Sequence, residues 1–304
     1  MAAKETVIFP MANSQLNSAQ TPNSAGQRSQ REALARALRD VTYEVLPFKG
    51  TEEKVLAHVP KDVGLTVTTT EAKGLAPTVE LTTKLSSQGY RAAPHLAARL
   101  VRDRAHLNDI ADELADAGVS DVFVIGGDAA EPVGEFYDAL SLLENLAELD
   151  KFESIGIGGY PEGHGKISDE LIEQALKSKA PHAAQVITQL CFDPATTLSW
   201  ARLVHSHGVH LPIRVGIPGA ISRQKLIRVS AGLGLGQSAR FLAKQQNMLW
   251  RFFLPGGYSP NKLVERLTPA FEQNDNALQG FHVFTFNELE STEAWRQARL
   301  SRLS

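Results

Sequence analysis

Side chains able to exchange protons or hydrogen-bond a ligand recur at the ends of short apolar runs. Glu44 stands inside Tyr43-Glu44-Val45-Leu46-Pro47, and Thr66, Thr68 and Thr70 alternate along the next run. His95 closes Ala92-Ala93-Pro94-His95, and Asp128 follows the pair Gly126-Gly127. Tyr160 and His164 bracket Pro161-Glu162-Gly163, and Gln189 follows Ile187-Thr188. A carboxyl in apolar surroundings has its charged form disfavoured, which suits Glu44 to donating a proton. Taken alone, Glu44 reads equally as a strand-end carboxylate in a solvent-exposed salt bridge. By residue type His95 reads as a core histidine satisfied by backbone, and Tyr160 as a packed aromatic. Several polar run ends converging on one face would favour chemistry over those readings.

Convergence requires a scaffold, and the chain supplies an alternating one. β-rich runs fall at 42–46, 64–69, 90–95, 121–125, 154–158, 185–189, 211–215 and 280–285. Helical patterns lie between them, at 107–117, 133–149, 168–179 and 196–206. Ser168 followed by Asp169 and Glu170 marks a helix start, and Gly208 a left-handed helix stop. Strand and helix alternation over this length predicts an α/β fold, a (β/α)8 TIM barrel whose strand C-termini would carry the site. An open doubly wound sheet is the alternative. The interval 216–279 exceeds a simple crossover and is expected to hold extra helices between strands 7 and 8. Residues 1–30, with Lys4, Glu5 and Arg28 as their only charges, read as a flexible N-terminal arm, leaving 31–304 as one domain. A short helix is expected from 27 to 40, with Leu34 and Leu38 on one face.

Composition excludes several classes. With 31 basic against 34 acidic residues the formal charge is −3, so no global positive field exists to hold a nucleic acid. No apolar run approaches the roughly 20 residues of a bilayer span, so no membrane segment is expected. The single cysteine, Cys191, rules out an intrachain disulfide and leaves a Cys-based metal centre without ligands. A reducing, cytoplasmic setting is the default, and a homo-oligomer remains open.

In order and spacing, the segments Tyr43-Glu44-Val45-Leu46-Pro47, Ala92-Ala93-Pro94-His95-Leu96, Gly126-Gly127-Asp128, Tyr160-Pro161-Glu162-Gly163-His164, Ile187-Thr188-Gln189-Leu190-Cys191-Phe192-Asp193, Ile217-Pro218-Gly219 and Phe281-His282-Val283-Phe284-Thr285-Phe286-Asn287 resemble methylenetetrahydrofolate reductase. The resemblance runs from about residue 41 to 290. It implies a flavin barrel that moves hydride from NADH or NADPH, through FAD, onto the methylene carbon of a reduced folate. It also implies Glu44 as general acid, Asp128 as the carboxylate near pterin and flavin, and Gln189 as the amide facing nicotinamide or pterin in turn. Thr68, His95, Gly127, Asp128, Tyr160 and His164 would line the flavin, with Lys177 near its diphosphate.

Departures accompany the match. Gly126 stands where the family has Arg, and Gln174, Lys177 and Ser178 replace Asn, Arg and Lys, which implies a looser hold on the diphosphate. Phe286-Asn287-Glu288 replaces Leu-Asn-Arg, where an Arg would meet the folate's glutamate tail. Direct hydride transfer without flavin is therefore an alternative, and a non-catalytic folate-binding accessory protein a third reading. The series Gly232-Leu233-Gly234-Leu235-Gly236 has the look of a dinucleotide fingerprint but lacks a strand leading into it. His205, His207 and His210 read as a solvated helix end rather than metal ligands.

Overall fold

The computed structural model describes residues 24–165, 167–221 and 259–303. Eight parallel strands close into a ring in chain order: β1 (Thr42–Val45), β2 (Gly64–Val67), β3 (Ala92–Ala97), β4 (Asp121–Ile125), β5 (Ser154–Gly159), β6 (Gln185–Thr188), β7 (Ile213–Pro218) and β8 (Leu278–Phe284). β1 pairs with both β2 and β8, which closes the barrel and rules out the open sheet. The surrounding helices are α1 (Ser24–Arg39), α2 (Thr51–His58), α3 (Ala76–Ser87), α4 (Arg104–Asp116), α5 (Ala139–Leu149), α6 (Asp169–Lys179), α7 (Pro194–Ser206), α8 (Asn261–Leu267) and α9 (Leu289–Leu303). None of these is long and apolar enough to cross a membrane.

Alternation along β1 sorts its side chains. Tyr43 and Val45 are fully buried against the helix layer, so Glu44 between them faces the barrel interior. Behind the strand, Tyr43 Oη donates to Glu293 Oε2 on α9 at 2.7 Å. Arg296 donates through Nε and Nη2 to the same carboxylate, and through Nη1 to the Leu38 carbonyl of α1. One buried network thus joins β1, α1 and α9.

Helices on the return path start on side-chain caps. Asp103, Asp138, Ser168 and Asp193 accept from the first-turn N–H groups of α4, α5, α6 and α7. Gly208 adopts φ 87° after α7, as its type demands.

Some boundaries differ from the sequence reading. The helix expected at 133–149 begins at Ala139, because a Cβ on Gly134 would overlap the Arg102 carbonyl and Asp138 supplies the cap only later. β3 runs on to Ala97, so His95 lies within the strand rather than at its end. α1 begins at Ser24, taking in the end of the segment assigned to the arm, and buries Leu34 and Leu38 as expected. Between β7 and β8 stand α8 and the 3-10 turn Thr268–Glu272. The glycine series from Gly232 lies outside the described residues.

Candidate active site

The interior of β1, β2, β3 and β8 brings Glu44 to two imidazoles. Thr42 and His282 are register partners, so Glu44, two residues on, projects from the same face beside His282. Glu44 Oε2 lies 3.7 Å from His282 Nε2 and 4.0 Å from His95 Nε2. His282 is oriented by Thr42, whose Oγ1 is 2.7 Å from Nδ1, and His95 packs its ring against Phe123 at 4.6 Å. The setting of Glu44 is thus not the apolar one expected from Tyr43 and Val45, because those two face the helices.

Burial pushes the His95 imidazole down to about 4, against the opposing pull of Glu44. At neutral pH His95 is therefore uncharged, offering one ring nitrogen as donor and the other as acceptor. The unfolded chain protonates this ring near its ordinary 6.5, and the folded chain does so only near 4. Its contribution is complete above the higher value and is lost as pH falls toward the lower. Taking the protein from pH 7 to pH 5 should cost about 2 kcal/mol of stability through this residue. Urea melts of wild type and His95→Gln at both pH values test this, and equal slopes for the two would refute it.

β8 fixes the height of Glu44. Thr285 Oγ1 donates to the Glu44 carbonyl at 2.5 Å. The Asn287 amide accepts from Leu46 N at 2.9 Å and donates to Leu46 O at 3.0 Å, as a neighbouring strand would. This clamp needs two consecutive non-glycine residues in the left-handed region, Phe286 at φ 50° and Asn287 at φ 61°. Such backbone costs about 1–3 kcal/mol per residue for a bulky side chain like Phe and less for Asn.

Three buried polar atoms near Glu44 have no hydrogen-bond partner among the described residues: Thr66 Oγ1, Thr68 Oγ1 and His95 Nε2. Thr66 is the register partner of Glu44 across β1 and β2. An unsatisfied buried polar atom costs roughly 1–3 kcal/mol, so a ligand or water supplying partners here would recover that loss.

Asp128, Tyr160 and His164 form a second group where β4 and β5 end. Asp128 is exposed beyond Gly127, whose φ of 93° turns the chain outward. Burial, with the Asp128 charge adding to it, holds the Tyr160 phenol above its ordinary value. Tyr160 and His164 meet edge to face at 5.5 Å. Gln189 is exposed just past β6; its N–H donates to Gly159 O at 2.7 Å and its Oε1 accepts from Leu190 N. Lys177 is not brought to these groups: it sits in the last turn of α6, with Nζ on Glu173 Oε1 at 2.6 Å. The same Glu173 oxygen meets His207 Nδ1 at the end of α7.

Sequence reasoning gave His282 no role and named Thr66 only as one of the hydrogen-bonding threonines of its run. The signal was present: alternation through Gly280-Phe281-His282-Val283-Phe284 puts His282 on the face opposite the buried Phe281 and Val283.

The family model for methylenetetrahydrofolate reductase matches residues 50–234. That stretch includes Thr68, His95, Asp128, Tyr160, His164, Lys177 and Gln189, while Glu44 and His282 flank it. Solved structures similar to the chain include a putative lyase/mutase from Burkholderia cenocepacia J2315, at 14% identity and TM-score 0.44 over 91% of this chain and 86% of that one. A mandelate racemase/muconate lactonizing enzyme from Bordetella bronchiseptica RB50 aligns at 11% identity and TM-score 0.43, over 89% of this chain and 62% of that one. A monomeric dihydrodipicolinate synthase variant aligns at 14% identity and TM-score 0.39, over 65% and 68% respectively. With the match covering more than half of an eight-stranded barrel, the chain belongs to the methylenetetrahydrofolate reductase family, oxidoreductases that reduce folates in one-carbon metabolism.

Proposed function

We propose that the protein converts the methylene bridge of 5,10-methylenetetrahydrofolate to the methyl group of 5-methyltetrahydrofolate, with NADH or NADPH as hydride source and FAD between them. The observation that carries this reading is the Glu44 carboxyl held inside the barrel between His95 and His282. From there Glu44 donates a proton to the bridging nitrogen that leaves the methylene carbon, opening the five-membered ring to an iminium. Asp128 steadies the positive charge of that iminium, and Gln189 offers donor and acceptor to whichever heterocycle faces it.

The residues fit a flavin. The unpartnered Thr66 Oγ1, Thr68 Oγ1 and His95 Nε2 match a flat ring edged with donors and acceptors. Thr68, His95, Gly127, Tyr160 and His164 would hold that ring. Bound FAD supplies a two-electron carrier between the nicotinamide and the folate. Toward the diphosphate, Lys177 is engaged by Glu173. A charge-assisted contact is worth about 1.5–3 kcal/mol, so the loss of the family's cation at Ser178 weakens affinity by roughly one to two powers of ten. The replaced diphosphate ligands, Gln174 and Ser178 among them, support a second reading, direct hydride transfer with no flavin. A cytoplasmic location is the default for a chain whose single cysteine, Cys191, leaves it no intrachain disulfide to form.

Visible absorbance and folate turnover, measured on the purified protein before and after adding FAD, separate the two. The expected result is partial flavin occupancy with activity rising on addition. Full activity in flavin-free protein, unchanged by FAD, would establish direct transfer and end the cofactor assignment.

A further inference from the structure

Asp128 has little to hold its side chain. Among the described residues no hydrogen bond or ion pair engages the carboxylate, although its charge reaches Tyr160, so where it stands follows mainly from the backbone beneath it. That backbone, residues 126–138 between β4 and α5, lies on the connector leaving β3. Its far part is tied by main-chain bonds, Val133 N to Arg99 O and Glu135 N to Arg102 O. The part next to Asp128 is held by Arg99, through its main chain and its side chain. Arg99 N donates to Gly126 O at 3.0 Å, and the Arg99 guanidinium donates through Nε to Ala129 O at 2.7 Å and through Nη2 to Ala130 O at 2.6 Å. Nη1 reaches on to Tyr137 O at 3.0 Å, so one side chain pins both arms of the loop.

A planar fork with fixed donor directions imposes a geometry that a lysine ammonium cannot. We propose that Arg99 is the positioning residue for Asp128, setting where the carboxylate stands relative to the folate. The inference rests on the role given to Asp128 above. Arg99 touches no reacting atom in this account; it acts through Ala129 and Ala130, the two residues that follow the carboxylate.

Four proteins test it: Asp128→Asn, Arg99→Ala, Arg99→Lys and Arg99→Ala combined with Asp128→Asn, each checked for folding by circular dichroism. Arg99→Ala should lower kcat/KM for the folate by about ten- to a hundredfold, the scale of a misplacement near 1 Å. Arg99→Lys should recover only part of the loss. The double variant should be no worse than Asp128→Asn alone, because a positioning residue has nothing to add once the positioned group is neutralised. Losses that multiply in the double variant would overturn the proposal, as would wild-type kcat/KM in Arg99→Ala. If Arg99→Ala fails to fold, Arg99→Lys alone and combined with Asp128→Asn carries the same comparison. Near-normal turnover in Asp128→Asn itself would instead remove Asp128 from the mechanism, and the proposal with it.

Discussion

Glu44→Gln should fold as wild type does and lose folate reduction by at least about a hundredfold. The amide has the shape of the carboxyl and can still face His95 and His282, at 4.0 and 3.7 Å in the native protein. It cannot give up an acid proton. His95, uncharged at neutral pH because of its burial, has no spare proton to stand in. Folate turnover alongside circular dichroism decides the matter, and a folded variant within a few-fold of wild type would take Glu44 out of the reaction.

The largest effect on stability should come from Glu293→Ala, on the other side of the same strand. Glu293 accepts from the Tyr43 phenol, from Arg296 twice and from Gln297. Burial pushes the Tyr43 phenol far up, with Glu293 reinforcing it, so that group remains a donor throughout the physiological range. Removing the acceptor strands a guanidinium whose side chain is 3% exposed. Breaking a buried pair from one side costs about 3–5 kcal/mol, much of it the stranded charge. A lower urea midpoint is expected, and an unchanged one would show the network to be energetically idle.

The scaffold was legible because a buried parallel strand needs an apolar, β-branched face toward the helices, and that face repeats. Asp121–Ile125 was bounded to the residue and Ser154–Gly159 to within one. Where tertiary contact overrides local pattern the reading failed. Val133 to Asp138 carry a helical rhythm, yet Gly134 lies flat on the Arg102 carbonyl and the helix waits for Asp138. Of the site, Glu44 and His95 were legible as polar residues in apolar runs. For His282 alternation marked only the face it occupies, since its significance lies in being beside Glu44 across the ring closure. Arg99 was invisible for a similar reason: its partners are carbonyls, which every residue has.

That ring closure also bears on when the site is assembled. The Glu44 and His282 strands meet across an interval of 240 residues, fixed by the Thr42 to His282 bond. Closing so long an interval costs about 2 kcal/mol more entropy than one a tenth as long. Contacts of this kind form slowly, because the closure entropy is spent before the pairing repays it. Glu44 therefore gains its second imidazole, and β1 its Thr285–Asn287 clamp, only on completion of the barrel. A chain whose β8 has not yet docked has Glu44 and His95 but lacks the His282 that stands beside them in the closed ring.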